Sequence, residues 1–111
     1  MLNGSLFALR QIIDLLNENV YGRLTVNEIS ARLSRSESAV KQLFAQHFKQ
    51  GIIHYYNSLK ISEAKKLIRE GRYNFTEISD MLCFESPQYF SKCFKKYTGR
   101  TPSEYRVSIV K

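Results

Sequence analysis

The stretch EISDMLCFESPQYFSKCF, residues 77–94, decides the fold, because the earlier stretch EISARLSRSESAVKQLF, residues 28–44, has the same pattern. The motif Glu-Ile-Ser-x-x-Leu returns after 49 positions. After one inserted residue the correspondence continues at an offset of 50, and it pairs Ser36 with Ser86, Leu43-Phe44 with Cys93-Phe94, and Tyr55 with Tyr105. Each copy predicts a short helix, a tight turn and a second helix with an exposed polar face.

Capping residues predict where the helices of the two copies begin. Thr25, followed by Glu28, has the spacing of a capping box. Ser36 is a suitable N-cap for the second helix of the first copy, and Ser86 followed by Pro87 is its equivalent in the second copy. Helical spacing then predicts the inward faces of these second helices: Val40, Leu43 and Phe44, and Phe90, Cys93, Phe94 and Tyr97.

Helical periodicity also covers the remainder of the chain. An apolar stripe predicts a helix from Ser5 to Asn19, and a longer helix is predicted from Ile52 to Glu70, stopped by Gly71. Thr101-Pro102 opens a short last helix that we expect to end near Arg106. The stripe of the first helix consists of Leu6, Leu9, Ile12, Ile13 and Leu16.

The predicted fold is all-α, with seven helices that form two helix-turn-helix subdomains joined by a long linker helix. We expect one structural unit in three parts. Residues 1–50 are the N-terminal helix plus the first helix-turn-helix, residues 51–71 the linker helix, and residues 72–111 the second helix-turn-helix. No segment shows the alternating pattern of a strand.

Composition points to a polyanionic partner. The chain has 111 residues, a net charge of +7 and a pI near 9.6. Residues 1–50 hold six basic and four acidic side chains (+2), and residues 51–111 hold eleven and six (+5). No apolar run approaches the ~18 residues that a membrane span needs, and no signal peptide is recognisable. We therefore expect a cytoplasmic protein in which both cysteines stay reduced.

The outward faces of the two second helices predict contacts with DNA bases. Their first turns offer ammonium, amide and hydroxyl groups, which suit guanine, adenine and several base edges respectively. A solvated surface would explain one such helix alone, but two in register favour DNA. The candidate base-contacting residues are Ser38, Lys41 and Gln42 in the first copy and Gln88, Ser91 and Lys92 in the second.

The length of the linker helix is compatible with one DNA turn. Nineteen residues from Ile52 to Glu70 span about 28 Å at ~1.5 Å per residue. Successive major grooves on one face of a duplex lie about 34 Å apart. Together with the turns at its ends, the helix has the length needed to serve two recognition helices.

The sequence predicts neither a metal site nor a catalytic site. The only histidines, His47 and His54, have no cysteine or aspartate pair at ligand spacing beside them, which argues against a metal site. Cys93 lies on an inward stripe and lacks an orienting third group, so no nucleophile is assigned. We predict that the chain is not an enzyme, has no catalytic residues and needs no cofactor.

The segment from Phe75 to Arg106 closely resembles the C-terminal signature of AraC/XylS-type transcription regulators. The upstream copy resembles that family's first helix-turn-helix, and the resemblance covers about residues 5 to 106. The start of the family's linker helix is matched by Tyr55, Leu59, Lys60, Ile61 and Ala64.

The resemblance implies a bacterial transcription regulator that inserts helices 36–48 and 86–98 into successive major grooves. The six candidate base-contacting residues match the family's base-reading positions. Double-stranded DNA is the implied partner, with RNA polymerase as a second one. Family members often carry a sensing, dimerising or phospho-acceptor domain before this module, and we expect this chain to be such a C-terminal part.

Three positions depart from the family pattern. Ser34 and Cys83 stand at turn positions where the family usually has glycine, and Lys49 replaces the glycine that usually follows the first recognition helix. If the turns keep their usual positive φ, each of the first two costs on the order of 1 kcal/mol. Otherwise their φ is negative.

Basic residues beside the two turns are candidates for phosphate contacts, although each could equally be plain surface charge. Arg32 and Arg35 flank the first turn. The second turn is flanked by Lys95, Lys96, Arg100 and Arg106.

Two alternatives stay open at this point. An RNA-binding basic helical domain would also suit the charge, but it predicts exposed aromatic residues and arginine clusters, which are sparse in this sequence. A helical adaptor for protein partners would use the apolar stripe of the N-terminal helix as its docking surface.

Overall fold

The computed structural model describes residues 3–109, and within that range the chain forms seven α-helices and no strand. The all-α prediction is confirmed. The last helix continues to Ile109 instead of ending near Arg106. Among the described helices, none combines the length and the hydrophobicity that crossing a bilayer requires. The helices are α1 Asn3–Glu18, α2 Val26–Leu33, α3 Glu37–His47, α4 Ile52–Glu70, α5 Phe75–Met81, α6 Pro87–Thr98 and α7 Pro102–Ile109.

The chain divides into two compact units, the first up to Tyr56 and the second from Asn57. In the first unit α1, α2 and α3 pack against one another. The hydroxyl of Tyr56 donates to the carbonyl oxygens of Asn19 (2.6 Å) and Gly22 (3.0 Å), in the segment that follows α1. The buried side chains of the first unit include Ile12, Leu16, Ile29, Val40 and Phe44.

One residue of the stripe predicted for α1 lies outside the core. Leu6 is 49% exposed, whereas Ala8, Ile12 and Leu16 are buried at i, i+4 spacing. On an ideal helix Leu6 is rotated about 120° away from Ile12, at ~100° per residue. The stripe prediction was therefore wrong for Leu6, because the buried face of α1 is narrower than the apolar pattern suggested.

The second unit is built around aromatic side chains. The ring centroid of Phe94 lies 5.9 Å from that of Phe90 and 5.5 Å from that of Tyr105. The first unit has the equivalent of the second contact, since the ring centroids of Phe44 and Tyr55 are 5.2 Å apart. The correspondence between Tyr55 and Tyr105 in the sequence is thus a correspondence of packing.

Lys60 of α4 is buried within the second unit, with only 4% of its surface exposed. Its Nζ donates a hydrogen bond to the carbonyl oxygen of Leu82, where α5 ends. A cation is favourable at a helix C-terminus, where the carbonyl groups carry partial negative charge. Lys60 therefore ties α4 to the start of the second turn.

Side-chain caps begin the helices at the predicted positions. Thr25 Oγ1 accepts from the N–H of Glu28 (3.1 Å), and Glu28 Oε1 accepts from the N–H of Thr25 (2.9 Å). The bond from the Thr25 backbone lowers the pKa of Glu28 below its ordinary value. Ser36 and Ser86 cap α3 and α6 through the N–H groups of Ala39 and Tyr89. The capping box and both serine caps are confirmed.

Both helix-turn-helix turns contain a residue in the left-handed region. Ser34 has φ 54° and Cys83 has φ 58°, so these turns keep the positive φ at which glycine is favoured. The backbone hydrogen bonds also match between the copies. Arg35 donates to the carbonyl of Ser30, and Phe84 donates to that of Ser79, each at 3.0 Å.

Replacing Ser34 or Cys83 by glycine is expected to raise the free energy of unfolding by about 1 kcal/mol each, because glycine reaches positive φ without steric strain. Urea denaturation followed by circular dichroism measures the change. Ala31→Gly, inside α2, is the control and should lose about 1 kcal/mol. A loss of stability in both turn variants would contradict the strain argument.

Ser30 and Ser79 occupy equivalent positions in the two copies but differ in hydrogen bonding. Ser30 Oγ donates to the carbonyl oxygen of Asn27 at 2.8 Å. Ser79 Oγ is fully buried and has no hydrogen-bond partner among residues 3–109. A buried hydroxyl without a partner costs about 1–3 kcal/mol.

Ser79→Ala is therefore expected to stabilise the protein by about 1 kcal/mol, since it removes a desolvated hydroxyl and keeps the backbone unchanged. Ser30→Ala is the matched variant and should be neutral or destabilising, because it removes a hydrogen bond. Thermal unfolding of both proteins tests the difference. If Ser79→Ala lost more stability than Ser30→Ala, the Ser79 hydroxyl would have a favourable role.

Candidate nucleic-acid interface

In the first unit α3 presents a polar face to solvent. Ser36 fixes its start, and Val40, Leu43 and Phe44 anchor its inner side in the core. Side chains on the opposite side of the helix from these anchors therefore point outward. The structure places all three predicted base-contacting residues of this unit, Ser38, Lys41 and Gln42, on that exposed face.

In the second unit α6 has the equivalent arrangement. Phe90, Cys93 and Phe94 are buried, and Gln88 and Lys92 are exposed. Ser91 is half-buried, so its hydroxyl is less accessible than the other candidate groups. The structure thus gives each copy an outward polar face, on which five of the six predicted residues are exposed and Ser91 is half-buried.

Tyr89 is exposed on α6 and also contacts the turn that precedes this helix. Its side chain is 41% exposed, yet its ring centroid lies 6.2 Å from that of Phe84 in the turn. A side-chain hydrogen bond with Cys93 raises the pKa of the Tyr89 hydroxyl above its ordinary value. Tyr89 therefore packs along α6 and still contributes surface to the outward face.

The two arginines beside the first turn have different surroundings. Arg35 is exposed in the turn itself. Arg32 lines an open cleft together with Gln11, Asp14 and Glu18 of α1. Asp14 of that cleft contacts Arg10, with 3.9 Å between Arg10 Nε and Asp14 Oδ2. Both Arg32 and Arg35 therefore stay candidates for a phosphate contact.

In the second unit the predicted phosphate-contacting residues are all exposed. The guanidinium of Arg106 lies 4.6 Å from the ring centroid of Phe75, the first residue of α5. Stacking leaves the N–H edge of a guanidinium available to an anion. Lys96 Nζ lies 6.0 Å from the ring centroid of Tyr97. Arg106 and Lys96 therefore each have an aromatic contact within the second unit, while Lys95 and Arg100 are exposed.

The histidines take part in local hydrogen bonds. His47 Nδ1 contacts the carbonyl oxygen of Leu43 at 3.1 Å, and His54 contacts the side chain of Gln50. Within residues 3–109 there is no group of three histidine, cysteine, aspartate or glutamate side chains that could hold a metal ion.

Two features of these units were not predicted from the sequence. Glu37, the first residue of α3, accepts a hydrogen bond at Oε2 from Asn27 Nδ2 of α2, at 3.0 Å. Asn74 and Glu77 form a capping box at the start of α5. The second was recognisable in the sequence, since asparagine is a favoured N-cap and a glutamate follows three residues later. The first joins residues of different helices and has no local sequence signal.

Comparison with known proteins links these features to a family. The helix-turn-helix domain family designated HTH_18 matches residues 29–108. The transcriptional regulatory protein HptR of Staphylococcus aureus is 29% identical over 99 residues, which cover 89% of this chain and 39% of HptR. The chain thus spans about two fifths of the length of that curated relative.

Solved structures show the same fold. An AraC-type DNA-binding domain-containing regulator from Chromobacterium violaceum superposes with a TM-score of 0.87 at 23% identity, covering 98% of this chain and 97% of the other. The DNA-binding domain of the global transcriptional factor AdpA, solved in complex with a target DNA, superposes with a TM-score of 0.83 at 19% identity, covering 90% of each chain.

Proposed function

Because this chain belongs to the AraC-type helix-turn-helix family, we propose that it is the sequence-specific DNA-binding part of a bacterial transcription regulator. The observation that carries the proposal is that the second helix of each helix-turn-helix, α3 or α6, begins at a serine cap and exposes a polar face. In helix-turn-helix proteins that helix lies in the major groove, and its N-terminal residues contact base edges. An RNA-binding domain is not supported by the family.

Each recognition helix has its own set of base contacts in this proposal. Lys41 and Lys92 donate to guanine O6 or N7, and Gln42 and Gln88 pair with adenine N6 and N7. Ser38 and Ser91 hydrogen-bond to neighbouring base edges. The phosphates on either side are held by Arg35 in the first unit and by Lys95, Lys96, Arg100 and Arg106 in the second. Arg32 is a further candidate beside the first turn.

We place the two recognition helices in successive major grooves. Support comes from α4, which has 19 residues and a length of about 28 Å at ~1.5 Å per residue. One turn of DNA separates successive grooves by about 34 Å. A single chain then contacts two half-sites in the way that dimeric repressors do with two chains.

The remainder of the regulator is also part of the proposal. Since the chain spans 39% of HptR, we infer that a sensing or dimerisation domain precedes it in the full protein. The complete regulator acts in the cytoplasm and contacts RNA polymerase. The reaction that it controls is transcription, and this module itself performs no catalysis.

A salt titration tests the binding mode. Fluorescence anisotropy with a labelled duplex should show log K falling linearly with log salt, by about 0.9 for each phosphate neutralised. Unlabelled duplex should compete more strongly than a structured RNA of the same length. Affinity that is indifferent to salt would favour a protein-interaction adaptor, and stronger competition by RNA would favour the RNA-binding alternative.

A further inference from the structure

The two recognition helices differ in charge at their first residue. α3 begins with Glu37, which is exposed, whereas α6 begins with Pro87. α3 carries one acidic residue and one lysine, while α6 carries Lys92, Lys95 and Lys96 and no acidic residue. Residues 51–56 carry no Asp, Glu, Lys or Arg, so the net charge is +2 up to Tyr56 and +5 from Asn57. The first unit is therefore the less attractive one to phosphate.

Glu37 is held in place by another helix. Asn27 Nδ2 donates to its Oε2 at 3.0 Å, and Asn27 is the second residue of α2. A carboxylate has about four lone-pair positions, and this bond uses one of them. The Ser36 cap, whose Oγ accepts from the N–H of Ala39, fixes the backbone at the start of α3. The carboxylate is thus oriented at the end of α3 that meets base edges in a helix-turn-helix complex.

An oriented carboxylate at this position has a defined preference among base edges. In the major groove the amino group of cytosine N4 is a donor that glutamate accepts. Guanine presents only acceptors in the major groove, and the phosphates nearby are anionic, so both repel a carboxylate. Adenine also presents an amino donor, at N6, but its N7 acceptor lies beside that group and repels a carboxylate, whereas cytosine presents only its amino donor. A carboxylate at this position therefore favours cytosine and penalises binding elsewhere, which is how repulsive elements create specificity.

On the basis of the proposed function, we propose that Glu37 is a specificity-determining residue that selects cytosine in the half-site of the first unit. Asn27 is the positioning residue that orients its carboxylate. The second unit, with its larger positive charge, supplies most of the phosphate attraction. The first unit then binds firmly only where its half-site offers the amino group of cytosine to Glu37.

Binding of Glu37→Ala, Glu37→Gln and wild-type protein to a panel of duplexes tests this proposal. The panel contains the tightest-binding duplex from a random pool, its single-base substitutions and a random-sequence duplex. With Glu37→Ala, the preference for cytosine at one position of the first half-site should fall about fivefold, the lower end of what a base contact supplies. The Glu37→Ala protein should bind the random-sequence duplex more tightly than the wild-type protein does. Glu37→Gln should shift the preference at that position towards adenine.

Glu70→Gln is the matched control, because it removes an exposed carboxylate at the end of α4. It should leave the base preference unchanged. Circular dichroism establishes that each variant is folded, and Glu37→Gln, which keeps the size of the side chain, serves if Glu37→Ala is unstable. If both Glu37 variants keep the wild-type base preferences, the role of Glu37 is overturned and DNA binding stands. If wild-type protein fails to bind any duplex, the proposed function fails as well.

Discussion

Phe94→Ala is expected to lower the free energy of unfolding of the second unit by about 3–5 kcal/mol, the usual cost of removing a buried phenyl ring. Phe94 is fully buried, and its ring lies between those of Phe90 and Tyr105. The substitution leaves a cavity where α6 packs against α7. Urea denaturation followed by circular dichroism measures the loss, and the specific DNA affinity should fall with it.

Phe7→Ala is the control for this prediction. Phe7 is 66% exposed on α1, so its loss should change stability by no more than about 0.5 kcal/mol. Equal stability losses in the two variants would show that the aromatic cluster is not the core of the second unit.

Lys92→Ala is expected to cost about 1–3 kcal/mol at the cognate site and to relax the preference at one base position. Lys92 is exposed on the outer face of α6, two positions after the buried Phe90. Because its proposed partner is a guanine edge, affinity for random DNA should change little. Titrations with cognate and random duplexes measure the two effects separately.

Two further variants identify the kind of contact. Arg106→Ala should weaken cognate and random binding about equally and reduce the salt slope by about 1, as expected for a phosphate contact. Lys66→Ala, an exposed lysine on α4, should change specificity at no position. Equal losses on cognate and random DNA for Lys92→Ala would reassign Lys92 to a phosphate contact.

The start of most helices could be predicted because caps are local. A threonine with a glutamate three residues later, or a serine before proline, satisfies the N–H groups of a helix end with its own side chain. The capping boxes and serine caps depend only on such neighbours. The end of α7 was placed too early, since no residue near Arg106 stops a helix and the backbone continues to Ile109.

Features that depend on distant residues could not be predicted. Lysine side chains are almost never fully buried without a partner. Lys60 is buried because its ammonium group donates to the carbonyl oxygen of Leu82, which is 22 residues away in the sequence. Leu6 fits a helical apolar stripe, but 49% of its surface is exposed, and on an ideal helix it lies about 120° around the axis from the buried Ile12. The sequence also did not determine whether the φ of Ser34 and Cys83 is positive or negative, and in the structure both are positive.

The outward residues of the candidate interface could be predicted from the sequence, but a contact between its helices could not. Burial of Val40, Leu43 and Phe44, and of their counterparts on α6, determines which side chains point outward. The sequence contains those anchors and so identified the outward residues. The hydrogen bond between Asn27 and Glu37 depends on how α2 and α3 meet, which local patterns do not specify.

Methylation interference on the selected duplex tests the central claim most directly. Methyl groups at guanine N7 project into the major groove, whereas those at adenine N3 lie in the minor groove. Two recognition helices in successive major grooves predict two clusters of interfering guanines, centred about 10 base pairs apart on one face. A single cluster, or interference confined to adenine N3, would contradict a chain that binds DNA through both units.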